Sequence, residues 1–391
     1  MQWMTEETGW IMPEETGLPG QLAEGMPCFD QPDRLLRLGA GLAGAAQRCM
    51  VGYEPDTPRA KAAAMLLAGA AAAAGGSCVL VPDCAPVELG DASSAAECGI
   101  ALHVGANRLR ICASGLLPLT KRQEAAIGSA YAAEPRWMQG SEYGTVTDGR
   151  GLRLLYAARL TEQLPADIPA RLQFSTASAR LLALNERIFR GGHGETLTVQ
   201  MTEDGRRCSL YSERLGWIFY EKLLLMLCMH RLAAGEDVAL PYWVPQVAEE
   251  MAAAHGRRIL RYASRSDGSD TEARTLARRQ GFTLDAGSML AEILRVHAES
   301  EPDLRRWMQA LPACHTVRRI LATADAEAAA ARCSGYLHAE RTPEGVRLKD
   351  PRGTALLRPS ATGHSLAMLV EARSMETASE LAADIAMWSG A

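Results

Sequence analysis

Aromatic side chains make up only 5% of the 391 residues, and no apolar run is both long enough and uncharged enough to span a bilayer. The two richest stretches are 60–74, mostly alanine behind Arg59 and Lys61, and 217–229, interrupted by Glu221 and Lys222. Both are expected to be buried helices, and no membrane partner is expected. An excess of basic charge is also missing. Forty-one Lys and Arg stand against 46 Asp and Glu, a net charge of −5, so nothing favours nucleic acid as a partner. None of the ten cysteines forms a Cys-x-x-Cys pair or a zinc-like spacing with histidine. They are read as reduced thiols in apolar sites of a cytosolic protein. Glu6, Glu7 and Pro13 stand where a secretory leader would need its apolar core, so a cytoplasmic location is expected.

Hydrophobic residues supply 48% of the chain, ample for globular cores, and the length is too great for one core alone. A pattern of short strand, helix, glycine stop and second strand occurs three times. The first copy has Cys49–Tyr53, a helix from Pro58, Gly75-Gly76 and Val79–Val81. The second has Leu172–Phe174, a helix through Leu181 and Ile188, Gly191-Gly192 and Leu197–Val199. In the third come Val238–Leu240, a helix through Val247 and Met251, Gly256 and Ile259-Leu260. Proline opening a helix and glycine just past its end are the usual punctuation, and such units favour largely parallel pairing.

The last ninety or so residues read differently. Val346–Leu348, Ala355–Leu357 and Ala367–Val370 predict strands, and Met375–Met387 predicts a closing helix, which together suggest a small α+β unit. The fold class expected is α/β: three related α/β domains with mixed, largely parallel sheets, and a C-terminal α+β domain, around a central cleft. Boundaries are expected at 1–145, 146–215 (shortened), 216–299 and 300–391. Linkers are placed near 140–151, 215–216 and 299–302, and the first forty-odd residues are read as partly irregular.

Within the last unit, Arg358-Pro359-Ser360-Ala361-Thr362-Gly363 sets a guanidinium and two hydroxyls at alternate positions on one turn. An Arg fork beside hydroxyls and backbone N–H groups suits the oxygens of a phosphate monoester. Arg358, Ser360 and Thr362 are therefore candidate phosphate-binding residues. Arg358→Ala is expected to abolish anion-dependent stabilisation and leave the fold nearly unchanged.

Three α/β units followed by an α+β unit ending in Arg-Pro-Ser-x-Thr resemble the phosphohexomutase family, which includes phosphoglucomutases and phosphomannomutases. The likeness runs from about Met50 onward. Val51-Gly52-Tyr53 resembles that family's first strand, and Gly115–Glu124 resembles the segment following its catalytic loop. The resemblance implies four loops around a cleft: one carrying the phosphorylated serine in Thr-Ala-Ser-His-Asn-Pro, a metal loop Asp-Gly-Asp-x-Asp-Arg, a sugar loop Gly-Glu-x-Ser-Gly-His, and the phosphate loop. A phosphoryl group must be held on a nucleophile while the sugar reorients, and Mg²⁺ must spread its charge.

The chain departs from that pattern at three loops. Gly99–Ile111 has no serine loop, and His103 and Ser114 are the nearest polar substitutes; an ordinary strand-end histidine and turn serine are the simpler reading. At Met201–Arg207, only Asp204 and Arg207 keep the metal loop's residue types, while Thr202 and Arg206 replace carboxylates. A guanidinium about 4 Å from a cation would cost roughly 4 kcal/mol at an effective dielectric near 20. Ser264–Glu272 is read as a surface loop in place of the sugar loop, and Arg274, Arg278 and Arg279 as a solvated helix face. No catalytic residue, metal site or cofactor is assigned.

Three functions are compatible with this inventory. The first is an inactive relative in carbohydrate metabolism, a pseudoenzyme that binds a phosphosugar or regulates. The second is an active mutase, an isomerase by intramolecular phosphotransfer, with relocated groups and Mg²⁺. The third is a ligand-free scaffold forming a homodimer or pairing with an active mutase.

Overall fold

The computed structural model describes residues 31–55, 57–106, 108–299, 304–360 and 363–390. Helix α1 (Pro32–Ala45) precedes β1 (Arg48–Tyr53), α2 (Pro58–Ala73), β2 (Ser77–Val81), α3 (Glu88–Ala95), β3 (Ile100–Val104), β4 (Leu109–Ala113), α4 (Lys121–Ala132) and β5 (Val146–Asp148). The five strands form one sheet in the order β4-β3-β1-β2-β5, parallel except for the β3–β4 hairpin. Part of the region expected to be irregular is thus the regular helix α1. Gly39 allows its close approach to α2, because a Cβ there would lie 2.6 Å from Ala70 Cβ and from the Leu67 carbonyl oxygen.

The second sheet follows α5 (Leu154–Gln163) and contains β6 (Ala170–Ser175), β7 (Glu195–Met201), β8 (Cys208–Ser212) and β9 (Gly216–Ile218) in that order; α6 (Ala179–Ile188) connects β6 to β7. Only β6 and β7 run parallel. "Largely parallel" therefore does not describe this sheet, whose later strands are joined by short turns that force antiparallel pairing. Both segments expected to be linkers between the early units carry strands: β5 pairs with β2, and β9 with β8. The third of those linkers falls partly on residues outside the described set.

Next come α7 (Tyr220–Ala233), β10 (Val238–Pro241), α8 (Val247–Ala254), β11 (Ile259–Tyr262), α9 (Thr271–Gln280), α10 (Ala286–Glu299) and α11 (Leu304–Gln309). Strands β10 and β11 form a parallel pair. Leu223 to Cys228 of α7 are all buried, which explains a helix apolar on nearly every side. Elements around these three sheets share one apolar core, from Leu35 to Trp307.

The C-terminal sheet is antiparallel throughout, in the order β12-β16-β15-β14-β13. It comprises β12 (His315–Ala322), β13 (His338–Thr342), β14 (Gly345–Asp350), β15 (Gly353–Pro359) and β16 (Ser365–Ala372). Helices α12 (Ala326–Cys333) and α13 (Met375–Ser389) cover it, their N-termini capped by Asp325 and Ser374. Leu348, Leu357, Met368, Val370, Leu381 and Ile385 belong to its separate core. Polar contacts join it to the rest: Glu371 accepts from the backbone N–H groups of Gln246 and Val247, and Arg373 pairs with Glu250.

Among the described residues no helix is long and apolar enough to cross a membrane. The nine described cysteines are free thiols, seven of them buried; Cys28 lies outside the described residues.

Candidate functional site

A cavity of about 280 Å³ opens where the C-terminal sheet meets the loop after β11 and the start of α4. Its walls include Lys121, Arg265, Arg341, Glu344, Arg358 and Ser360. Lys121, Arg265, Arg341 and Arg358 stand there with the carboxylates of Glu327 and Glu344, and two of the four cations are already ion-paired, Arg358 with Glu344 and Arg265 with Glu124.

Arg358 lies at the end of β15 and is only 6% exposed. Its Nη2 is 2.5 Å from Glu344 Oε1 and donates to Ser264 Oγ at 3.1 Å. Glu344, on the turn between β13 and β14, also accepts from the Ser264 N–H at 2.7 Å and the Ser264 hydroxyl at 2.6 Å. Removing Arg358 would therefore strip a buried carboxylate of its partner, so the expectation that the fold would hardly notice is corrected. The Ser360 hydroxyl accepts from the Ser365 N–H at 3.1 Å, and the Ser360 N–H donates to the Ser365 carbonyl at 2.8 Å, closing the turn. Thr362 lies outside the described residues.

The surface-loop reading of Ser264–Glu272 holds for Asp267, Gly268, Ser269, Thr271 and Glu272, which are exposed, but fails at Ser266 and Asp270. Ser266 is fully buried and its hydroxyl donates to Asp270; its carbonyl accepts from the Lys121 N–H at 2.8 Å. Neighbouring Arg265 donates to Glu124 of α4 at 2.7 Å. The polar composition of this stretch serves a junction between three elements, and polarity alone could not distinguish that from solvent contact. The solvated-face reading of α9 holds for Arg278 and Arg279 but fails at Arg274. That residue is buried and donates to the Pro118 carbonyl.

Strands β3 and β4 pair antiparallel, and just beyond them the Gly105 N–H donates to the Arg108 carbonyl at 2.9 Å. Within β3, His103 is buried, and its Nε2–H donates to the Cys84 carbonyl at 2.9 Å. Burial pushes its pKa down to about 4, so the ring is neutral and structural. Ser114 sits in the turn after β4, its hydroxyl 3.5 Å from that of Ser94.

The turn between β7 and β8 holds Asp204. Thr202 donates to its carboxylate at 2.6 Å and the Arg206 N–H at 3.1 Å, and Arg110 Nε lies 4.0 Å away. Burial raises the Asp204 pKa, but Arg110, Arg206 and these hydrogen bonds more than offset it, so the acid is held below its ordinary value. Arg110 also pairs with Glu203 at 3.0 Å. With its carboxylates already committed to guanidiniums, this turn does not fit a Mg²⁺ ion, which needs several anionic oxygens in octahedral array. Arg207 instead lies over the rings of Trp243 and Tyr220, at 5.0 and 5.5 Å.

Sequence reasoning missed the contacts of Ser264, Arg265 and Glu124 around the cavity, which Arg265 lines. Their partners are 80 to 141 positions away, so no local spacing announces them.

No protein-family model matches the sequence, and no curated protein matches it either. Solved structures do match. A phosphoglucomutase/phosphomannomutase family protein from Burkholderia thailandensis superposes with a TM-score of 0.69 at 14% identity, over 92% of this chain and 93% of that one. The phosphoglucomutase parafusin from Paramecium, in an open form, gives 0.61 at 10% identity, over 97% and 96%. The chain is therefore built on the phosphohexomutase fold, a mixed α/β architecture with several sheets.

Proposed function

We propose that this protein binds a hexose phosphate in the cavity beside Arg358 and Ser360 and performs no phosphoryl transfer of its own. The observation that carries the reading is the β3–β4 connection. The Gly105 N–H donates to the Arg108 carbonyl, and only two residues separate them in the sequence, too few for a loop that presents a phosphoryl-carrying hydroxyl. Stepwise transfer with reorientation of the sugar needs such a carrier. The Thr202–Arg207 turn adds to this, because Asp204 is engaged by Arg110 and Arg206 where charge neutralisation would be needed. Loss of one charge-stabilising donor typically costs 10²–10³-fold in rate, and here two parts of the machinery are replaced.

The cavity retains Lys121, Arg265, Arg341 and Arg358, the chemistry that holds a phosphate dianion while the sugar hydroxyls meet polar groups. Its role is then sensing or regulation in hexose-phosphate metabolism, and the free thiols suit a reducing cytoplasm.

The test combines a coupled mutase assay with titration of glucose 6-phosphate, mannose 6-phosphate and glucosamine 6-phosphate. Binding of at least one without turnover is expected. Interconversion of 1- and 6-phosphates at enzymatic rates would overturn the proposal.

A further inference from the structure

We propose that Glu344 is a built-in occupant of the anion site, which a phosphorylated ligand must displace in order to bind. This rests on the cavity being a phosphosugar site, and it adds the regulation of that site by the chain itself.

The donors around the Glu344 carboxylate are a backbone N–H, a hydroxyl and a guanidinium: Ser264 N at 2.7 Å, Ser264 Oγ at 2.6 Å and Arg358 Nη2 at 2.5 Å. These are the same three donor types that a phosphate monoester recruits. The Glu344 side chain is only 3% exposed, so the carboxylate fills the position rather than merely bordering it. Ser264 follows β11, whose residues pack on the large shared core, whereas the C-terminal sheet bearing Glu344 and Arg358 has a separate core. The contact is thus a latch between two independently packed bodies, and exchanging its carboxylate for a ligand's phosphate would free the turn between β13 and β14 from the loop after β11.

A phosphate dianion brings more charge and one more oxygen than the carboxylate. With Lys121, Arg265 and Arg341 on the same wall, it competes favourably once the latch opens. Because only the opened form binds, the apparent affinity is reduced by the fraction of molecules in that form. The site would then answer to high ligand concentrations and ignore low ones. If Glu344 instead merely holds Arg358 in position, removing it weakens binding. The two roles predict changes of opposite sign.

The experiment titrates the full chain with glucose 6-phosphate and with inorganic phosphate by calorimetry, at fixed pH and salt, for the wild type, Glu344→Gln, Glu344→Ala and the double variant Glu344→Ala/Arg358→Ala. Glu344→Gln keeps the side-chain volume should the alanine variant fail to fold. The single variants are expected to bind about tenfold tighter than the wild type, or to bind where the wild type shows nothing. The double variant is expected to lose binding. Equal or weaker binding by the single variants overturns the latch and leaves the phosphosugar reading intact. Absence of binding in every protein, or undiminished binding by the double variant, overturns both.

Discussion

Arg265 donates its Nε hydrogen to Glu124 across 2.7 Å, tying the loop after β11 to helix α4 through a carboxylate that is 3% exposed. Burial raises the Glu124 pKa, and the pull of Arg265 and Lys121 only partly offsets it, leaving the acid at about 7. Through adjacent residues Ser264 and Arg265, the loop after β11 is thus bonded both to Glu344 of the C-terminal sheet and to Glu124 of α4.

A pH signature follows from Glu124. In the folded protein it holds its proton up to about pH 7, whereas an unfolded glutamate releases it near 4.3. The protonated group's stabilising contribution is fully present below the lower value and is lost as pH rises through the upper one. Relative to Glu124→Gln, the wild type should lose on the order of 1–3 kcal/mol between about pH 4 and pH 8. Melting temperatures across that range check this, and curves that stay parallel contradict it.

Arg358→Ala should destabilise the fold as well as the site. It leaves the buried Glu344 carboxylate without its guanidinium, and breaking a buried pair costs about 3–5 kcal/mol. The double substitution with Glu344→Ala should recover much of that loss. Denaturant unfolding of both variants measures it, and a near-silent Arg358→Ala would show the pair to be energetically idle.

Asp204→Asn should cost about 1–3 kcal/mol at neutral pH, because Arg110 and Arg206 lose a buried neighbouring anion, although Arg110 keeps Glu203. The native acid is held low, so its contribution exists above the unfolded value near 3.9 and is lost as pH falls through the folded one. The difference between variant and wild type should therefore shrink in acid. Millimolar Mg²⁺ should leave the wild-type melting temperature unmoved; a clear rise would mean that the turn accepts the cation after all.

Gly205→Ala should cost about 1–3 kcal/mol. Gly205 adopts φ +72°, and a Cβ there would meet Val87 Cγ1 at 2.9 Å and the Leu181 methyls at 3.1 Å. Thermal unfolding reads the loss. A neutral result would mean that the β7–β8 turn can shift away from α6.

The strand–helix–strand order, the apolar helices and the α+β close are written in local periodicity and glycine or proline punctuation, so the sequence alone determined the fold class and most strand positions. That the stretch Thr-Ala-Ser-His-Asn-Pro does not occur was legible as well, since it is absent in any conformation. Among the strands that escaped notice, β12 and β13 have no buried residue and are mixed in polarity, so no apolar alternation marks them. Tertiary structure alone decided what Arg358 does. Its type and turn suggested a free fork for phosphate, but Glu344 fourteen residues earlier and Ser264 from another core converge on it in space. A side chain's charge is a local property; whether that charge is already neutralised depends on contacts that only the folded chain brings together.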